Sequence, residues 1–325
     1  VTSHRSTAPL AFSGSRLSWA DLPRSVRARI AELHGAEVVT ESAATSGFSP
    51  GYAALLGMGD GTEVFVKAVS PEQNPDSPDL ARAEIRAASL VPAGVDAPPL
   101  LWSHDDGAWV MLGFAAVEGS APEYPWRPEE LTRVLGALTT LAEAGTPGPT
   151  GLQRLADAVA PMMTGWARLA ADGPALDRAA DAVGPHREWM VAHLDDLVAW
   201  AGDGPAAATG DSLVHGDLRA DNVMLSPEHV WLIDWPHAAT AGARWYDLLA
   251  MLPSVAMQGG GDSADHFWSH PNAQGADPDA VRAVLAGLAG FFVHGSVQPA
   301  PPGIANLRAF QIAQGHTALE WLRRF

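Results

Sequence analysis

The sequence predicts an α+β fold of two unequal parts, a small β-sheet lobe carrying one helix followed by a larger, mainly helical lobe. Three observations carry that reading. Short β-prone runs separated by turn residues fill the chain to about Ala116. After Gly119 the apolar spacing changes from the alternation of strands to the three-to-four-residue period of helices. One β-like island, between Ser212 and Ile233, interrupts the helical part.

In chain order, Tyr52 to Gly57 and Glu63 to Val69 read as strands joined through Asp60-Gly61, a strong hairpin signal because both residues tolerate positive φ. A loop with Pro71, Pro75 and Pro78 leads into a helical pattern from Asp79 to Leu90. Leu100 to Ser103 and Ala108 to Phe114 are two more strands, turned by Asp105-Asp106-Gly107. Helical spacing then covers Arg127 to Ala144, Leu152 to Ala171, Arg178 to Trp200, Tyr246 to Met257, Asp279 to Val293 and Ile304 to Phe325. Breaks rich in Gly and Pro, such as Gly145 to Gly151, separate them. The boundaries expected are 1–116 for the sheet lobe and 117–325 for the helical lobe, with a hinge at about 111–119.

Composition narrows the function. The formal charge is −17, with no basic run, so nucleic acid is excluded as a partner; binding it needs lysines and arginines to neutralise phosphates. No segment has the apolar length of a membrane span and no leader stands out near the start, so the expected location is cytoplasmic, with no membrane partner. Cysteine is absent, which removes disulfides and thiolate chemistry. The acidity reads as a solubility device or as attraction for a cationic substrate. Beyond Met251 it nearly vanishes: Asp262, Asp265, Asp277, Asp279 and Glu320 stand against Arg282, Arg308, Arg323 and Arg324.

The chemistry concentrates in His215-Gly216-Asp217-Leu218-Arg219-Ala220-Asp221-Asn222, followed by Trp231-Leu232-Ile233-Asp234-Trp235. A hairpin between these strings returns Asp234 beside the loop that bears Asp217 and Asn222. A carboxylate and an amide oxygen converging at one point suit a hard cation such as Mg²⁺. Asp217 remains as a proton acceptor. In the sheet lobe, Lys67 is a lone charge in the apolar strand Val64-Phe65-Val66-Lys67-Ala68-Val69 and needs a partner, since an unpaired buried charge is costly. Glu84, in the following helix, is the candidate.

These strings resemble the aminoglycoside phosphotransferase family, small-molecule kinases with a protein-kinase-like bilobal fold, over roughly residues 40 to 250. The resemblance implies a catalytic role for Asp217 and metal binding by Asn222 and Asp234, with His215 and Asp247 structural. It also implies that Lys67, paired with Glu84, holds the phosphates of ATP or GTP, the phosphoryl donor. By position, Ser46, Gly47 and Ser49 cover those phosphates, and Met111 and Gly113 meet the nucleotide base at the hinge, with Met111 or Phe114 lining the pocket. Trp235-Pro236 stands where protein kinases have Phe-Gly, and no activation segment follows, so a constitutively assembled small-molecule kinase is expected. Arg219 replaces a histidine common in the family; it meets a phosphate, meets an acidic substrate group, or pairs with Asp221.

The implied acceptor is a hydroxyl of a small antibiotic or other natural product. The alternatives are a metabolic sugar or amino-alcohol kinase and a non-catalytic nucleotide-binding protein of the same fold. Family members that take polycationic sugars hold them with acidic C-terminal residues, whereas this chain ends Glu320-Trp321-Leu322-Arg323-Arg324-Phe325. That favours a neutral or acidic acceptor.

Overall fold

The computed structural model describes Pro9 and residues 16–44, 51–301 and 304–325. Its N-terminal part is one mixed sheet of six strands: β1 (Arg16–Leu17), β2 (Val38–Ala43), β3 (Gly51–Met58), β4 (Glu63–Val69), β5 (Leu100–Asp105) and β6 (Val110–Ala115). The path runs β1-β3-β4-β6-β5, with β2 pairing β3. The Asp60-Gly61 turn places β4 antiparallel to β3, with Gly61 at φ 87°. Helix α1 (Arg24–His34) covers one face, burying Val26 and Ile30 with Leu56, Val64, Val66 and Met111. Helix α2 (Ser77–Ala88) covers the other, where Ala81 packs with Val69, Val110, Leu112 and Phe114.

From Pro128 onward the chain is mainly helical. A long helix, α3 (Pro128–Ala144), precedes the short helices α4 (Leu155–Val159), α5 (Gly165–Ala171), α6 (Gly173–Ala182) and α7 (Arg187–Ala192), and then α8 (Leu194–Ala207). The two long helices expected over 152–171 and 178–200 are therefore broken. The first break brackets Pro161 and the second Gly184-Pro185, where a missing N–H donor and a positive φ at Gly184 (50°) stop the ladder. The β-island forms β7 (Thr209–Val214), β8 (Val223–Leu225) and β9 (Val230–Leu232), and β10 (Ala239–Gly242) pairs with β7. Helices α9 (Tyr246–Met257), α10 (Ser263–Ser269), α11 (Pro278–Ser296) and α12 (Leu307–Leu322) complete the chain.

Helix α11 is the centre of the second part. Val281, Val284, Leu285, Leu288 and Val293 are buried, and α5, α8 and α12 all pack on it. The Trp166 indole N–H donates to the Ala286 carbonyl at 2.8 Å, so a buried polar atom at that crossing is satisfied. No helix among the described residues is long and apolar enough to cross a membrane.

Candidate active site

The β8–β9 hairpin is the positioning device. Val223 pairs with Leu232, and the Ile233 N–H donates to the Asn222 carbonyl at 3.0 Å. The last residue before β8 and the first beyond β9 thus lie side by side. Asp234 follows with φ 68°, a left-handed conformation unfavourable for a residue with a Cβ, held here by its surroundings.

The loop bearing Asp217 is braced from behind. Asp247, at the first turn of α9, accepts the backbone N–H groups of His215 (2.7 Å) and Gly216 (2.9 Å) on its two oxygens. His215 is fully buried; its Nε2 bonds the Ile233 carbonyl at 3.0 Å, so that nitrogen carries the proton. Nδ1 then accepts the Asp217 N–H at 3.4 Å. Burial pushes the imidazole down to about 4 and the Asp247 carboxyl up to about 6, the latter opposed by its two N–H donors. Gly216 sits at φ 84°, and a Cβ there would lie 2.3 Å from the His237 carbonyl oxygen, so this position requires glycine on both counts.

Lys67 meets its partners from both parts of the chain. Its ammonium donates to both Glu84 oxygens (2.7 and 2.8 Å) and to Asp234 Oδ1 (2.6 Å). Burial alone would lower the lysine, yet the two carboxylates hold it above its ordinary value. Asp234 is likewise pushed up by burial, but the Lys67 charge outweighs this and brings it down to about 2. Glu84 is 4% exposed and raised by burial, with Lys67 and the Trp235 N–H opposing. Arg219 forms a second knot. It donates to Asp217 Oδ1 and forks onto Asp221 through Nε (3.0 Å) and Nη2 (2.9 Å). Asn222 Nδ2 adds bonds to the Asp217 carbonyl (2.7 Å) and to Asp217 Oδ2 (3.4 Å). Burial raises the Asp217 carboxyl, and Arg219 and His237 pull against that rise.

Lys67, Glu84, Asp217 and Asp234 all line one cleft of about 390 Å³. Of the residues singled out in the sequence, the structure brings these together with Asn222. It does not bring in Met111 or Gly113. Both sit inside β6, paired with Ala68 and Val66, hence on the α1 face and away from Lys67. A Cβ on Gly113 would fall 2.2 Å from the Trp102 ring, so that glycine makes room for an indole. Their neighbours Leu112 and Phe114 hold the Lys67 face, with the ammonium 5.8 Å from the Phe114 ring centroid. Ser46, Gly47 and Ser49 lie outside the described residues. The fork of Arg219 between Asp217 and Asp221 adds a partner that sequence spacing did not single out. Tyr246, Gln311 and Gln314, also on the cleft, carried no local signal, because helix packing alone brings them there.

Among the described residues no group of three or more His, Asp or Glu side chains could hold a metal by itself. Asn222 spends its amide nitrogen on Asp217, so its Oδ1 remains, and Asp234 meets Lys67 through Oδ1 alone; the oxygens left over are of the kind Mg²⁺ takes. That ion takes one or two protein oxygens and completes its shell with water and phosphate.

The fold and these pairs define the class. The profile of the phosphotransferase enzyme family (APH) matches residues 43–284, and the chain belongs to that family of small-molecule kinases. Solved structures share the fold at low identity. A thermostable mutant of aminoglycoside phosphotransferase APH(4)-Ia, in complex with ADP and hygromycin B, is 18% identical, with 92% of this chain and 98% of that one covered and a TM-score of 0.57. Spectinomycin phosphotransferase APH(9)-Ia, with ADP and spectinomycin, is 12% identical over 92% and 97%, with a TM-score of 0.61. Choline kinase LicA from Streptococcus pneumoniae is 14% identical over 93% and 99%, with a TM-score of 0.58. No curated protein matches the sequence.

Proposed function

We propose that the chain transfers the γ-phosphoryl group of ATP or GTP to a hydroxyl of a small natural product, with an antibiotic as the first candidate acceptor. The observation that carries this reading is the convergence, in one cleft, of the Lys67–Glu84–Asp234 knot with Asp217, to which Asn222 is hydrogen-bonded. Likeness in fold to APH(4)-Ia and APH(9)-Ia, whose structures hold ADP and an antibiotic, supports it. The comparable likeness to choline kinase supports a second reading, a metabolic sugar or amino-alcohol kinase. With all four of Lys67, Asp217, Asn222 and Asp234 present, a non-catalytic role is the weaker alternative.

In this reading residues 1–116 form the nucleotide-binding lobe, 117–325 carry the catalytic loop and acceptor side, and 111–119 are the hinge. Lys67, fixed by Glu84, holds donor phosphates. Asn222 and Asp234 would hold Mg²⁺, which neutralises phosphate charge when bound. Asp217 accepts a hydrogen bond from the acceptor hydroxyl, aligns its oxygen for attack and takes the proton as the new P–O bond forms and the bond to the nucleoside diphosphate breaks. Phosphoryl transfer asks chiefly for positioning and charge stabilisation, and these side chains can supply both.

A panel of hydroxylated antibiotics, sugars and amino alcohols, incubated with Mg²⁺ and ATP or GTP and read by mass spectrometry, tests the reading. One added phosphate on a panel member is the expected result. Equal turnover by wild type and Asp217→Ala removes Asp217 from the mechanism.

A further inference from the structure

We infer that the acceptor is an uncharged hydroxylated molecule with an apolar face, seated against α9, α11 and α12; the inference rests on the kinase reading above. The cleft has two unlike walls. All of its acidic side chains, Asp76, Glu84, Asp217 and Asp234, belong to the α2 side or the catalytic strings. Three are already committed: Glu84 and Asp234 to Lys67, and Asp217 to Arg219. Asp76 is exposed and precedes α2.

From Tyr246 onward the lining carries no Asp, Glu, Lys or Arg among the described residues. It is built from Tyr246, Leu288, Phe291, Phe292, Ile304 and Phe310, with Leu307 also on it. A polycationic acceptor would press ammonium groups onto that wall with no carboxylate to meet them, at the cost of an unpaired charge leaving water. The protein's charge of −17 is not focused here.

Two amides give the wall its polarity. Gln311 and Gln314 lie one turn apart on α12, and both are buried. Gln314 donates through Nε2 to Ser254 Oγ at 2.6 Å, which leaves its carbonyl oxygen to accept. Gln311 accepts from Arg308 on Oε1 at 2.7 Å, which leaves its Nε2 to donate. A neutral acceptor–donor pair in an apolar wall suits hydroxyl, carbonyl or amide groups. A single quaternary ammonium would gain attraction from the aromatic rings but would use neither amide.

The test measures kcat/KM for phosphoryl transfer by the full chain in three arms. The neutral arm is phenyl β-glucoside, thymidine and chloramphenicol, with methyl β-glucoside as its apolar-face control. The cationic arms are kanamycin and choline. Acceptor-independent hydrolysis of Mg·ATP and Mg·GTP is recorded first. We expect a member of the neutral arm to exceed both cations by about tenfold or more, and phenyl β-glucoside to exceed methyl β-glucoside by a similar factor. In Gln314→Glu the ratio of neutral to cationic turnover should fall about tenfold, and in Gln311→Glu, whose new charge Arg308 neutralises, it should fall less. Preference for kanamycin or choline, or hydrolysis that no neutral compound converts into transfer, overturns the inference and leaves the kinase reading intact. Absence of both hydrolysis and transfer overturns the kinase reading, and this inference with it.

Discussion

The two walls of the cleft are made by different physics. On one side, Lys67 with Glu84 and Asp234, and Arg219 with Asp217 and, behind it, Asp221, form two ionic knots. On the other, aromatic and aliphatic side chains with two amides set a shape and carry no charge. Ionic knots of this kind are weak evidence for stability, because desolvation offsets much of their attraction. In the proposed reading their value is in holding charge where the phosphoryl group passes. The apolar wall contributes the opposite way: it packs well and leaves the choice of acceptor to fit.

The comparison predicts the largest effect at Asp217. Asp217→Asn keeps the shape and removes the proton acceptor, so kcat for transfer should fall about 10³-fold. KM for the nucleotide should change little, because the donor is held by Lys67 in the proposed arrangement. A fall of less than tenfold would place the proton's destination elsewhere. Lys67→Met breaks the other knot and leaves Glu84 and Asp234 without their cation. Removing one partner of a buried pair costs about 3 kcal/mol, readable as a lower urea midpoint. Adding Glu84→Gln should recover part of that loss. If the double variant is less stable than the single by a further 3 kcal/mol, Glu84 is held by something other than Lys67.

These two predictions concern residues that were legible in the sequence, and the reason is local. Asp217, Asn222 and Asp234 are separated by one short hairpin, so pairing Val223 with Leu232 is enough to bring them together. Lys67 and Glu84 are joined by a single strand-to-helix passage. The apolar wall was not legible. Met162, Tyr246, Phe291 and Phe310 meet only through helix packing over long sequence distances, and any one of them reads as ordinary core. Helix α1 escaped for another reason: it buries only Val26 and Ile30, too few apolar positions to set a period.

A smaller effect should separate the walls by pH. His215 supports the charged side and is kept neutral by burial, at about 4 against an ordinary 6.5. The unfolded chain takes up that proton as pH falls below 6.5, while the folded chain does not. Stability is therefore lost between 6.5 and 4, by about 2 kcal/mol at pH 5. Asp247 runs the other way: raised to about 6, its folded form binds the proton first, which restores stability as pH falls through that value. Urea midpoints of wild type and His215→Gln, each at pH 7.5 and 5, isolate the first contribution. Wild type should lose about 2 kcal/mol more than the variant on acidification. Equal losses would mean the imidazole titrates normally in the folded state.

The smallest effect tests which face of β6 meets the donor. The family resemblance sets the hinge at Met111 to Phe114, with Met111 or Phe114 lining the pocket; strand pairing alternates sides, and Lys67 pairs with Leu112 while Met111 pairs with Ala68. The methionine side chain is therefore committed to the α1 core with Val26 and Ile30. Met111→Leu nearly conserves volume, so it should cost less than about 1.5 kcal/mol of stability and leave KM for ATP and GTP unchanged. Phe114→Ala, on the Lys67 face and 5.8 Å from the ammonium, should raise the nucleotide KM severalfold. If the two outcomes are reversed, the base lies against the α1 face, and the register of β4 with β6 cannot be the one that frames the donor.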